Sequence, residues 1–380
     1  MTENKTLGIV FSNMHDTRLG ELTELRTMGS VPIGGRYRFV DFVLSNMVNS
    51  GINTVGVVTK NNYQSLIDHL GSGREWDLSR KNGGLHILPP YGRSSNGIYR
   101  GRMEALANIL EYIRSSKAKY VIMSDCDIIA NIDYSDIIKK HRASEKPMTL
   151  IYKMRDASKE NDEDTIILST DKDSKITDMR KSTGADKDVK VFMNIVVANK
   201  DFLEELITSC SQRNLYSFRN DVLLGNMLDR ADVNTYEFTG YSAQIHSMTS
   251  YYATNMELLK KEVRDDLFCR ERPIYTKVHD EPPVLYGLGS DVKNSLIADG
   301  CVIKGKVENC IIFRDVRIGA DAVVKNSIIM QGTTIGEGCN LDYVITDKNV
   351  TVQDGKNLMG AETYPVYVKK GSKIEKGETQ

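Results

Sequence analysis

No stretch of about 18 consecutive apolar residues occurs in this chain, so no segment reads as a membrane-spanning helix. Neither sign of charge is in excess. Lys and Arg total 50, Asp and Glu total 51, and the formal net charge is -1. That balance gives no general electrostatic case for nucleic acid or an anionic membrane, though it leaves room for a local basic pocket. The six cysteines, at positions 126, 210, 269, 301, 310 and 339, match no zinc spacing and no CxxC redox motif. The opening Met-Thr-Glu-Asn-Lys lacks the apolar core of a signal peptide. The expectation is a cytoplasmic protein with reduced thiols.

At 380 residues the chain is too long for one small core, and two domains are expected. Thr6 to Phe11, Val55 to Thr59 and Tyr120 to Met123 are short, nearly continuous apolar runs, the pattern of strands buried on both faces. Between them, Phe39 to Asn49 and Met103 to Ile113 carry apolar residues at helical spacing. Alternating strand and helix predicts a parallel, doubly wound α/β sheet, with ligands bound beyond the strands' carboxyl ends. The segments after Phe11 and Met123 are therefore the expected place for chemistry. Asp133, ahead of Ser135 and Asp136, reads as a helix N-cap.

From about Lys260 the pattern changes, and residues 261–290, with Pro282 and Pro283 adjacent, read as a linker between a domain at 1–260 and another at 291–380. Beyond Ser295, Ile312, Ile318, Val324 and Met330 recur every sixth residue, and Val316, Ala322 and Ile328 follow at plus four. Ile335 and Leu341 resume the register, with Gly336 and Cys339 beside them. This is the hexapeptide signature of a left-handed parallel β-helix, in which each face points one apolar residue inward and a small residue closes the corner. Ordinary antiparallel strands would alternate every second residue instead. Asn309 and Asn326 fall at turn positions, where their side chains are expected to bond the backbone. No histidine follows His279, which argues against a hexapeptide-repeat acyltransferase with a catalytic histidine in its coils.

Arg18 to Thr23 (RLGELT), Val31 to Phe42 (VPIGGRYRFVDF) and Leu44 to Ile52 (LSNMVNSGI) resemble bacterial glucose-1-phosphate adenylyltransferase, and the resemblance extends over nearly all of the chain. It implies a Rossmann-like nucleotidyltransferase domain followed by the β-helix, a tetrameric assembly and a role in glycogen synthesis. The reaction joins ATP and glucose 1-phosphate to give ADP-glucose and pyrophosphate. In it the sugar phosphate attacks the α-phosphorus of ATP, and the protein supplies positioning, Mg²⁺ and positive charge.

The motifs depart from that pattern where the nucleotide would sit. The family's Gly-Gly-x-Gly-x-Arg-Leu loop stands here as Asn13-Met14-His15-Asp16-Thr17-Arg18-Leu19. Three glycines are lost, and Cβ atoms with an added carboxylate make a poor triphosphate cradle. Arg18 is kept. Arg-Ala-Lys-Pro becomes Arg26-Thr27-Met28-Gly29, which removes a lysine, and Gly-Thr-Ala-Asp-Ala becomes Gly101-Arg102-Met103-Glu104-Ala105. Only Gly101 and Ala105 match, and Arg102 adds a cation able to meet a different anion.

Other positions carry over. By the resemblance Asp127 and Asp221 match the two metal-binding aspartates, and two such carboxylates can hold Mg²⁺ with waters and phosphates. Asn220 replaces a lysine beside Asp221, and Gln244 stands where an acid is usual. The resemblance assigns Arg18 and Asp127 to a weak or vestigial catalytic set. It assigns Lys181, Gly101 and Arg26 to the substrate, Lys181 as the lysine that grips the sugar phosphate. Arg36, Tyr37 and Arg38 serve either the fold or an anionic effector. The expected function is a regulatory or weakly active subunit that binds a sugar phosphate or nucleotide. It would assemble with a catalytic paralogue as a hetero-oligomer, a tetramer by the resemblance. The alternative is an adenylyltransferase competent in its own right, resting on Arg18, Asp127 and Asp221.

Overall fold

The computed structural model describes residues 6–12, 14, 16–90, 99–157, 165–171, 175–225 and 227–375, the side chains of Asp16 and Ala231 excepted. Asn13, His15 and the side chain of Asp16, three of the altered loop positions, lie outside the described residues.

The first domain is built on a nine-stranded sheet. One half of it is parallel, in the order Tyr120–Asp125, Thr6–Phe11, Thr54–Val58, Gly84–Leu88, the last an edge strand. Thr6–Phe11 is buried along its whole length because strands cover both its edges and helices both its faces, as its unbroken apolar run requires. The sheet is not parallel throughout, as the strand and helix alternation suggested. Val189–Asn199 runs antiparallel to Tyr120–Asp125 and carries Met148–Arg155 and Ile166–Thr170 beside it. The predicted helix Phe39–Asn49 forms over those residues, with Asp41 in its first turn accepting from the Arg38 N–H at 2.9 Å. The helix expected over Met103 to Ile113 is two, Arg102–Asn108 and Leu110–Ser115, divided at Ile109, whose φ of -105° and ψ of 13° leave the helical region. Asp133 caps Tyr134–Ser144 by accepting from the Ser135 N–H at 2.8 Å.

The second domain is the left-handed β-helix. Three parallel sheets of six, five and five strands stack its coils. The first strand, Leu285–Tyr286, already pairs with Val302–Ile303. Ile312, Val316, Ile318, Ala322, Val324, Ile335, Cys339 and Leu341 fill the interior. Met330, read from the period as an inward residue, and Ile328, read as a corner residue, face the other way. With Ile311 and Ile345 they lie in the same hydrophobic cluster as Phe39 and Tyr251 of the first domain. The reason is the doubled apolar pair on one sheet: Ile312 and Ile329 point in, while Ile311 and Ile328 point out against the first domain. Asn294, Asn309 and Asn326 turn one corner with positive φ, a region asparagine tolerates. Their side chains bond to one another and to Asp342 from coil to coil, at 2.7, 3.3 and 2.8 Å, in place of the backbone bonds expected.

Candidate functional site

A cavity of about 310 Å³ opens beyond the carboxyl ends of Thr6–Phe11 and Tyr120–Asp125, where an open α/β sheet binds its ligands. Met14 comes from the altered loop, Arg100, Gly101 and Arg102 from the start of a helix, Phe192 and Asn194 from the long antiparallel strand, and Tyr216 to Asn220 from a π-helical turn and its approach.

Gly101, which the resemblance assigns to the substrate, lines the cavity. A Cβ there would overlap the Tyr216 carbonyl oxygen, so only glycine lets the two walls meet. Arg102 is buried, and its Nη2 donates to Asp125 Oδ2. Its guanidinium also lies over the rings of Phe11 and Phe218, at 4.9 and 5.5 Å from their centroids. Asp125 ends the strand two residues before Asp127. Asp127 is buried as well, and its carbonyl accepts from the Ile245 N–H at 2.8 Å.

Asp221 has another task. Its Oδ2 accepts from the backbone N–H groups of Tyr216 and Ser217 at 3.0 and 2.8 Å. A carboxylate holding two amides fastens the turn it sits on. Among the described residues no three His, Cys, Asp or Glu side chains gather as a metal-ligand group. Nucleotidyl transfer generally uses Mg²⁺, and the donor set is a poor fit to it: of the two expected carboxylates Asp221 commits its Oδ2 to backbone amides, and Arg102 places a positive charge on Asp125, two residues before Asp127.

The remaining expected residues lie elsewhere. Arg18 is half-buried in the 3-10 segment Asp16–Thr23, and that loop reaches the cavity through Met14. Lys181 is exposed at the end of the sheet's outermost strand, Ile176–Lys181, beside the Arg180–Asp186 ion pair. Arg26 is buried at the junction of the two domains, where its Nη2 donates to both carboxylate oxygens of Asp347 at 2.8 Å. A phosphate role in the cavity is thereby replaced by an interdomain ion pair. Met28, in the lost lysine's place, is buried in the core.

Asp125 and Asn194 escaped the sequence reading. Asn194 sits at a register shift in Val189–Asn199 with φ 55°, and a lone asparagine inside an apolar run was the available signal.

A second, smaller pocket lies at the domain junction, lined by Arg36, Arg38, His69, His279, Arg314 and Lys348 among others. Arg314 Nε donates to Asp299 Oδ2 at 3.1 Å, while its buried Nη2 has no hydrogen-bond partner among the described residues. Arg26 Nη1 is in the same state close by. Burial, with Arg38 and Arg26 adding like charge, holds the Lys348 ammonium down at about 7. Burial likewise lowers Arg38 to about 10. This crowd of cations at the junction is suited to an anion.

Comparison with known proteins agrees with the two domains. Residues 8–177 match the family described as Nucleotidyl transferase, and residues 286–363 match the GlmU-like C-terminal hexapeptide family. The chain is 34% identical over 371 residues to the glycogen biosynthesis protein GlgD of Bacillus subtilis, covering 98% of this chain and 97% of that one. It is 35% identical over 324 residues to the glucose-1-phosphate adenylyltransferase of Pseudothermotoga lettingae, covering 84% and 76% of the two chains. It is 33% identical over 343 residues to the same-named protein of Clostridium perfringens strain SM101, covering 88% and 87%. With its sheet domain, its β-helix and this likeness along nearly its full length, the chain belongs to the nucleotidyl transferase family that includes the glucose-1-phosphate adenylyltransferases and GlgD.

Proposed function

We propose that this chain acts in glycogen biosynthesis as a regulatory, weakly active subunit of glucose-1-phosphate adenylyltransferase, assembled with a catalytic paralogue. The observation that carries the reading is Asp221. The acid expected to serve a metal fastens its own turn through two amides. Two further features support it. Arg102 occupies the strand end against Asp125, and Met14 brings bulk into the cavity. Adenylyl transfer needs charge stabilisation aimed at the leaving pyrophosphate. Here Asp125 holds one nitrogen of Arg102, and backbone amides hold Asp221.

Regulation in this reading works by differential binding. An anionic effector at the junction pocket would draw Arg38, Arg314 and Lys348 together and favour one arrangement of the two domains over another. A partner in contact with this chain would sense that change. Size-exclusion chromatography with light scattering of the chain, alone and with a catalytic relative, tests the assembly. Pyrophosphate release from ATP and glucose 1-phosphate by the chain alone tests the weak activity. The reading predicts a mixed oligomer and near silence. Turnover comparable to that of the catalytic relative would sink it.

A further inference from the structure

Although its acids are diverted, the cavity keeps a cationic lining. Arg100, Arg102 and Arg219 all face it, with Asn194, Ser217 and Asn220 offering hydrogen bonds. Arg102 is the deciding residue. Its exposure is 8%, two aromatic rings flank it, and Asp125 holds one of its nitrogens. Its Nη1 makes no hydrogen bond among the described residues. A guanidinium is permanently charged, planar and able to meet a phosphate with two parallel N–H bonds. Fixed against the Asp125 carboxylate at the end of Tyr120–Asp125, it holds a permanent positive charge at the cavity wall.

The cavity's size and lining suit a small polar ligand, with Arg100 lying 4.6 Å over the Tyr216 ring to form one wall. We propose that this cavity binds a phosphate ester, a sugar phosphate or nucleotide, without a divalent cation, with the Arg102 guanidinium supplying the positive charge. The ligand would be sensed and not turned over. This deepens the regulatory reading and rests on it for its purpose, but it is judged by binding alone, whereas that reading is judged by turnover and assembly.

The test is amide hydrogen exchange on the full chain with glucose 1-phosphate, ATP or ADP-glucose as probe, each in EDTA and in excess Mg²⁺. The expected result is protection of residues 99–106 and 215–223 by at least one probe, at the same probe concentration with or without Mg²⁺. The probe that protects tells a sugar phosphate from a nucleotide. Removing Arg102 alone strands the buried Asp125 carboxylate. The double variant Arg102→Met with Asp125→Asn is therefore compared as well, after circular dichroism confirms its fold. It should need about tenfold or more probe for equal protection, the loss expected when a charged hydrogen bond is removed. Protection that requires Mg²⁺, protection undiminished in the double variant, or no protection of these segments by any of the three probes would each overturn the proposal.

Discussion

Removing the Asp347 carboxylate should loosen the junction between the two domains, and the cost can be worked from its contacts. Arg26 and Asp347 are 3% and 2% exposed. Asp347 also accepts from the Tyr367 hydroxyl at 2.8 Å and from the Lys348 N–H at 2.7 Å. In Asp347→Leu the Arg26 charge stays buried without its partner, which costs about 3–5 kcal/mol. The two orphaned donors add about 1 kcal/mol each. Arg26→Met strands the carboxylate for a similar charge term of about 3–5 kcal/mol, although its two neutral donors remain. With both partners made apolar, only the two orphaned donors are left, a cost of about 2 kcal/mol. The singles together should therefore exceed the double by at least about 6 kcal/mol. Because one hydrophobic cluster joins Phe39 and Tyr251 to Ile311, Ile328 and Ile345, both domains should report one transition. Guanidinium unfolding of the wild type, both singles and the double, followed by circular dichroism, measures the cycle. Additive costs, or singles within about 1 kcal/mol of wild type, would refute a buried ion pair that fastens the domains.

The Lys348 ammonium, held at about 7 against an ordinary 10.5, is deprotonated in the fold across a range where the unfolded chain is still charged. Stability contributed through this group therefore rises with pH from about 7 to 10.5, and its cost is fully present below about 7. Lys348→Met should flatten that slope, and an unchanged pH profile of the unfolding midpoint would contradict it. An anion in the junction pocket should raise the depressed ammonium again, so binding near neutral pH of sulfate, which does not itself titrate there, should take up protons; calorimetry in buffers of different ionisation enthalpy reads this, and zero uptake on binding would contradict it. Met28→Lys, which restores the family's residue type, buries an ammonium in the core and should destabilise the fold by several kcal/mol instead of restoring activity. Gly101→Ala should displace the Tyr216 turn that Asp221 holds, seen as faster amide exchange across 215–223 with little change in the β-helix.

The β-helix was legible because every coil repeats the same demand, an apolar residue inward on each face, and the period survives a skipped step before Ile335. Phe39–Asn49 and Thr6–Phe11 were legible for the same reason, one face or two faces buried along a single element. The doubled isoleucines misled the phase. A six-residue period tells which residues are apolar but not which of two adjacent ones faces the other domain. The antiparallel half of the sheet was missed because Val189–Asn199 has the same burial on both faces as a parallel strand. One short motif, Gly101 to Ala105, pointed to a stretch whose first two residues line the cavity. Pairings across the fold were not legible. Arg102 meets Asp125 only because a helix start and a strand end share a wall, and Arg26 meets Asp347 across 321 positions of sequence. The sequence pointed to Asp221 but not to its orientation, which depends on two amides in the turn before it.

The most direct measurement is a titration of this chain into a fixed amount of a catalytic glucose-1-phosphate adenylyltransferase subunit, with pyrophosphate release as the readout at several effector concentrations. The account predicts that this chain adds almost no rate of its own yet shifts the partner's rate or its effector dependence, saturating at a fixed ratio of subunits. A rate that rises in simple proportion to this chain, or a partner indifferent to it, would contradict the account.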